Sequence, residues 1–269
     1  MSFSRPCLAA LGAAVLAVGS VVWPASASAA GVRYVALGDS YSSGTGAGDY
    51  DPASGSCTRS ANAYPNLWAA QNDTESYEFA ACSGATSTDV ASGQLGALSD
   101  ATTLVSITVG GNDAGFSDVM LTCVLQSTSA CESRVAEAER YIANTLPGRL
   151  DDLYGKIRDR APEARVVVLG YPRLYTIVSG CVGIGTTKRQ ALNGAADVLD
   201  ETIEKAAARA GFVWSDVRDE FDGHELCSGD DWLNSVAWPF EDSYHPTALG
   251  QRLGYLPAFS GSAARSALT

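Results

Sequence analysis

Ser40 closes the stretch Val32-Arg33-Tyr34-Val35-Ala36-Leu37-Gly38-Asp39-Ser40, in which a β-rich run stops at Gly38-Asp39 and a hydroxyl follows at once. That layout delivers a serine to the C-terminal end of a strand, where open α/β sheets form their crevices. A serine hydroxyl is a poor nucleophile until a base takes its proton. His245, in Asp242-Ser243-Tyr244-His245-Pro246, is of the residue type that titrates near neutrality and can serve as that base and then as acid. Attack on an ester carbonyl creates an oxyanion. Its expected donors are the backbone N–H groups of Ser40 and Gly84 and the side-chain amide of Asn112. Glycine at 84 would permit close backbone approach. Gly84 lies in Cys82-Ser83-Gly84 and Asn112 in Gly110-Gly111-Asn112-Asp113, each just after a strand-like run.

The elements that must position these groups alternate along the chain. Strands are expected over 32–37, 77–81, 104–109, 165–169 and 212–214. Helices are expected over 64–70, over 132–160 with a kink or a split at Pro147-Gly148, over 188–210 and from about 246 to 253. Residues 41–60 are rich in Gly and Ser and read as a long loop. Strands alternating with helices argue for an α/β fold with a parallel, doubly wound sheet. Strand C-termini then share one edge, and residues far apart in sequence converge there.

The chain has 269 residues, of which 1–30 read as a secretory signal peptide: Arg5 supplies the basic start, Leu8 to Val22 the apolar run, and Ala25 to Ala30 the small residues of a cleavage site. That run is short for a membrane span, so no stable membrane anchor is expected. Residues 31–269 fit one domain, with no internal repeat or linker. Removing Arg5 takes the net charge from −12 to −13, which disfavours nucleic acid and anionic surfaces as partners. Six cysteines remain after Cys7: Cys57, Cys82, Cys123, Cys131, Cys181 and Cys227. An even count in an exported chain suggests three disulfides, and nearest-neighbour pairing is the working expectation among the 15 connectivities open to six cysteines. Without any C-x-x-C and with two histidines, a zinc site is a weak rival. Asp49, Asp51, Asp73 and Asp89 lack the spacing of a calcium loop.

Each of these groups also has a plainer reading. Gly-Asp-Ser alone is a common turn or helix cap. Asp39 is expected to hold the loop by hydrogen bonds, and Asp113 to be structural. His224 is the rival base, better read as a structural or solvated histidine. Tyr41, Trp214, Trp232, Trp238 and Tyr244 are candidates for lining an acyl groove, although such residues more often pack.

Taken in order, Gly38-Asp39-Ser40-Tyr41, Gly84, Gly110-Gly111-Asn112-Asp113 and Asp242-x-x-His245-Pro246 resemble the blocks of the SGNH (GDSL-like) hydrolases, with the family letters falling on Ser40, Gly84, Asn112 and His245. The first block reads Gly-Asp-Ser-Tyr in place of Gly-Asp-Ser-Leu. With the six cysteines and the leader, the chain resembles the secreted actinobacterial lipase and phospholipase branch. The resemblance implies a flavodoxin-like three-layer α/β/α sandwich around a mostly parallel five-stranded sheet, and ester hydrolysis without metal or cofactor. It leaves two candidates for orienting His245, the Asp242 carboxylate and the Ser243 backbone carbonyl. The expectation is a secreted, monomeric serine esterase acting on lipid esters. The alternatives are a carbohydrate acetyl esterase of the same fold or a catalytically silent secreted binding domain.

Overall fold

The computed structural model describes residues 1–3 and 31–264. The expected leader lies, from residue 4 onward, outside the described residues, and Gly31 begins a compact unit of its own. Five strands form its sheet: β1 Val32–Gly38, β2 Thr74–Phe79, β3 Leu104–Thr108, β4 Arg165–Leu169 and β5 Val213–Ser215, in the order β2-β1-β3-β4-β5. Every neighbouring pair is parallel. Parallel neighbours need crossovers, and helices supply them. β3 and β4 are buried at nearly every position because helices cover the sheet on both faces. Strand order reverses between β1 and β3, so the crevice of this flavodoxin-like sheet opens where those two strands end.

In chain order the helices are α1 Ser40–Ser43, α2 Tyr64–Gln71, α3 Ser87–Asp89, α4 Phe116–Leu125, α5 Thr128–Asn144, α6 Leu146–Arg160, α7 Thr186–Arg209, α8 Arg218–Phe221 and α9 Leu256–Ala264. Tyr34 of β1 packs between Trp68 of α2 and Phe259 of α9, with ring centroids 5.1 and 5.4 Å away. α5, α6 and α7 pack on one another, and α7 lies against β4 and β5.

Several boundaries differ from those expected. The loop expected from residue 41 begins as α1, because Ser42 finds buried partners in Tyr64 and Thr108. β2 starts three residues early and ends at Phe79. It is an edge strand with one polar face, so Thr74-Glu75-Ser76 belongs to it despite lacking an apolar run. Its end is set where the Ala80 and Ala81 N–H groups both turn to the Ala36 carbonyl. Of the kink or split expected within residues 132–160, the structure has the split, into two helices. Thr145 separates them, and Pro147 sits in the first turn of α6, where its missing N–H costs nothing. The last helix runs well past residue 253, through a wide turn at Gly250–Tyr255 into α9. α4 had no counterpart in the expected elements.

Disulfides join Cys57–Cys82, Cys123–Cys131 and Cys181–Cys227, each cysteine to its neighbour in sequence. Cross-links of this kind restrict the unfolded chain. The first also pins the loop after Ser40 to the turn that carries Gly84.

Candidate active site

The turn bearing Ser40 is built by its neighbours. Gly38 has φ +121°, and a Cβ there would lie 2.8 Å from the Thr108 nitrogen and 2.9 Å from the Ser42 hydroxyl, so only glycine fits. The Gln94 amide bridges both backbone groups of Gly38 at 2.8 Å. Asp39 caps α1 by accepting from the Tyr41 N–H (3.1 Å), and it also accepts from the hydroxyls of Thr108 (2.6 Å) and Tyr171 (2.5 Å). Burial pushes its carboxyl up to about 6, against these three hydrogen bonds, which favour the charged form. Asp39 thus holds the turn. Ser40, the first residue of α1, is left facing the crevice.

His245 reaches Ser40 from the other end of the chain, with Nε2 2.7 Å from the Ser40 Oγ. Its loop is tied down from several sides. Asn234 pairs its N–H with the His245 carbonyl (2.9 Å), and its side chain donates to the Gly46 carbonyl (2.9 Å). The Tyr41 hydroxyl donates to the Tyr244 carbonyl (2.7 Å), and the Tyr41 ring lies 5.2 Å from the imidazole. A Cβ on Gly46 would come within 2.8 Å of the His245 Cβ, so the loop passes close under the histidine. Burial lowers the His245 pKa to about 4, while the backbone of Ser243 and Glu241 and the charge of Asp242 act the other way. Nδ1 is buried and no acceptor among the described residues meets it at full hydrogen-bond geometry, yet the two backbone groups lie close enough to favour a protonated ring. Asp242 is occupied elsewhere: its Oδ1 accepts from the Tyr50 hydroxyl at 2.6 Å, and that hydroxyl accepts from the Gly46 N–H at 2.7 Å.

Gly84 and Asn112 follow the C-terminal ends of β2 and β3, on the sheet edge that also carries Ser40. Gly84 has φ +79°, and a Cβ there would meet nothing within 4 Å. The left-handed backbone of the turn favours glycine here, with no other side chain crowding the position. Neither the Gly84 nor the Ser40 N–H is bonded to another described residue. The Asn112 amide donates to the Ala85 carbonyl at 3.1 Å, which fixes its side chain beside the Gly84 turn and leaves its second N–H unspent. Asp113 accepts from the Ser87 N–H and hydroxyl (2.8 and 2.6 Å) and so ties the end of β3 to α3.

An apolar cleft runs from Ser40 and Asn112 between α4, α5 and α7, past Phe116, Val119, Ile142, Leu174 and Leu192. Of the aromatic candidates, Tyr41 lines it. Trp232 instead stacks on His224, with centroids 3.6 Å apart. Trp214 packs over Gly170, Tyr244 is buried near Tyr175, and Trp238 is exposed. His224 sits away from Ser40, with Nδ1 3.1 Å from the Asp230 carbonyl. Among the described residues no group of three or more His, Cys, Asp or Glu side chains is placed to hold a metal ion. Sequence reasoning missed Gln94, Tyr171, Tyr50 and the lining from α4. Only α4 left a signal, in the apolar residues Phe116, Val119, Met120 and Cys123 at helical spacing.

A serine bonded to a histidine at the switch point of a parallel sheet fits a hydrolase of the SGNH type. The chain belongs to the GDSL-like lipase/acylhydrolase family, whose model matches residues 36–253. It is 54% identical over 264 residues to Lipase 1 of Streptomyces coelicolor, covering 98% of each chain. Its fold matches the crystal structure of phospholipase A1 from Streptomyces albidoflavus (TM-score 0.85, 55% identity, 87% of this chain and 100% of that one). It matches the extracellular lipase of Streptomyces rimosus equally well (TM-score 0.85, 55% identity, 86% and 99%).

Proposed function

We propose that the protein is a secreted serine esterase that hydrolyses carboxylic esters of lipids through an acyl-enzyme. The apolar cleft that begins at the Ser40–His245 pair carries this reading: it accepts an acyl chain and presents its ester carbonyl to the serine. His245 takes the Ser40 proton as Oγ attacks. The backbone N–H groups of Ser40 and Gly84 and the Asn112 amide receive the oxyanion, each worth about 2.7–4 kcal/mol of barrier. His245 then protonates the leaving alcohol, and water activated by the same histidine clears the acyl group. The names of the relatives, lipase and phospholipase A1, support the substrate class. Secretion is supported by the three disulfides and by the extracellular relative. Among the described residues no helix is long and apolar enough to cross a membrane.

A panel of soluble nitrophenyl esters tests the substrate class. Each buried methylene is worth about 0.8 kcal/mol, so kcat/KM for an octanoyl ester should exceed that for the acetyl ester by about ten-fold or more. A preference for acetyl would reject the acyl cleft and favour the sugar-ester alternative.

The Ser243 carbonyl, rather than the Asp242 carboxylate, serves as the group that steadies His245. The engagement of Asp242 by Tyr50 supports this assignment. Asp242→Asn should then retain kcat within about ten-fold, whereas loss of a triad-type aspartate costs about 10⁴. A fall of several hundred-fold in steady-state kinetics would return the role to Asp242.

A further inference from the structure

Beyond Met1 and Phe3, ten large hydrophobic side chains are exposed among the described residues, and eight of them fall on three segments. Each segment also supplies the cleft or the histidine. α4 lines the cleft with Phe116 and Val119 and turns Leu121 and Leu125 outward, 60% and 71% exposed. The chain beyond Leu174 exposes Ile177, Val178 and Val182. The loop before His245 exposes Val236, Trp238 (83%) and Phe240 (65%), with the two rings packed edge to face at 5.3 Å.

These segments adjoin one another around the cleft. Lys188 at the start of α7 donates to the Cys123 and Gln126 carbonyls at the end of α4 (2.8 and 2.6 Å). Its neighbour Arg189 donates to the Thr176 and Val178 carbonyls (3.2 and 3.0 Å). The Tyr175 ring stands 6.5 Å from that of Tyr244, next to His245. Apolar side chains scattered singly need no explanation, but a cluster set around one opening does.

Charge narrows what the rim meets. Residues 176–187 carry no ionisable side chain, α4 adds only Asp118, and residues 235–243 add Glu241 and Asp242. The cations at its base are spent, Lys188 on two carbonyls and Arg189 in the interior. Anionic membranes are held by clustered Lys and Arg, which this rim lacks. An exposed tryptophan and phenylalanine suit the headgroup level of a lipid surface. A protein partner seated there would block the cleft.

We propose that this apolar rim, led by Trp238 and Phe240, is the face by which the protein docks on an uncharged or zwitterionic lipid surface, so that an acyl chain passes from the lipid layer into the cleft. The proposal rests on the lipid-ester reading above. The test uses vesicles of ether-linked phosphatidylcholine, which offer a surface but no cleavable ester. The protein should sediment with them, with its tryptophan emission shifted to the blue. The Trp238→Ala/Phe240→Ala variant should lose about ten-fold or more in partitioning, and added phosphatidylglycerol should give no gain. Hydrolysis of a short, monomeric nitrophenyl ester should be the same in both proteins. Absence of wild-type binding, or binding unchanged in this variant and in Leu121→Ser/Leu125→Ser, would overturn the docking face. A concentration-dependent dimer abolished by the same substitutions, without vesicle binding, would assign the face to a second copy and equally overturn it. Failure of the wild type on the monomeric ester would count against the esterase reading instead.

Discussion

Ser40→Ala lowers kcat for a fatty nitrophenyl ester by about 10⁵–10⁶-fold, the scale found when one member of a serine–histidine unit is removed. The size follows from the geometry. The Ser40 Oγ is the hydroxyl bonded to the His245 Nε2, and alanine leaves neither a nucleophile nor a proton for the histidine to take. The N–H donors and the cleft would survive, so substrate should still bind and KM should change little. The substitution removes one oxygen from a turn held by Gly38, Asp39 and Gln94, so near-UV circular dichroism should match the wild type. Turnover within ten-fold of wild type in a correctly folded variant would remove Ser40 from the mechanism.

His245→Ala should cost a similar factor, about 10⁵ or more, because serine and base act as a unit. The same residue sets the acid side of the pH profile. Its working form as a base is neutral, and burial lowers its pKa from 6.5 to about 4. As pH falls, kcat/KM should therefore hold through 6.5 and drop only near 4. Stability moves with it: between those values the unfolded chain binds a proton that the folded chain refuses, so this residue's contribution weakens as pH falls from 6.5 towards 4. Asp39, raised to about 6, contributes in the opposite sense, since its folded form holds a proton more tightly than the unfolded form. A pH–rate profile of the wild type, paired with the His245→Ala rate, checks both statements. An acid limb near 6 that disappears in Asp39→Asn would assign control of the profile to Asp39.

The sequence shows where chemistry sits better than it shows what holds it. Ser40, Gly84 and Asn112 each follow a run of strand-forming residues, and a parallel sheet brings strand ends to one edge. The placement of these three was therefore legible from local pattern alone. His245 was legible by residue type and neighbours. The supports were not. Gln94 reaches back 56 residues to Gly38, Tyr171 reaches 132 residues to Asp39, and Tyr50 reaches 192 residues to Asp242. Such contacts depend on packing at long range, and nothing in the neighbouring residues announces them. β2 was misplaced because an edge strand with one wet face has no apolar run to mark it. The break expected within 132–160 is a split rather than a kink because a proline that interrupts one helix is equally suited to start another.

Covalent trapping reads directly whether Ser40 is the nucleophile of an acyl-transfer site. A long-chain alkylphosphonate nitrophenyl ester resembles the substrate, but its phosphorus adduct does not turn over. Attack by the Ser40 oxygen forms the oxygen–phosphorus bond, expels nitrophenolate, and leaves the serine proton on His245. One nitrophenolate should be released per chain, with an alkylphosphonyl group on the Ser40 peptide by mass spectrometry and no adduct in Ser40→Ala or, on the same timescale, in His245→Ala. An active protein that resists the reagent, or that loses activity through an adduct on another residue, would take the nucleophile's role from Ser40.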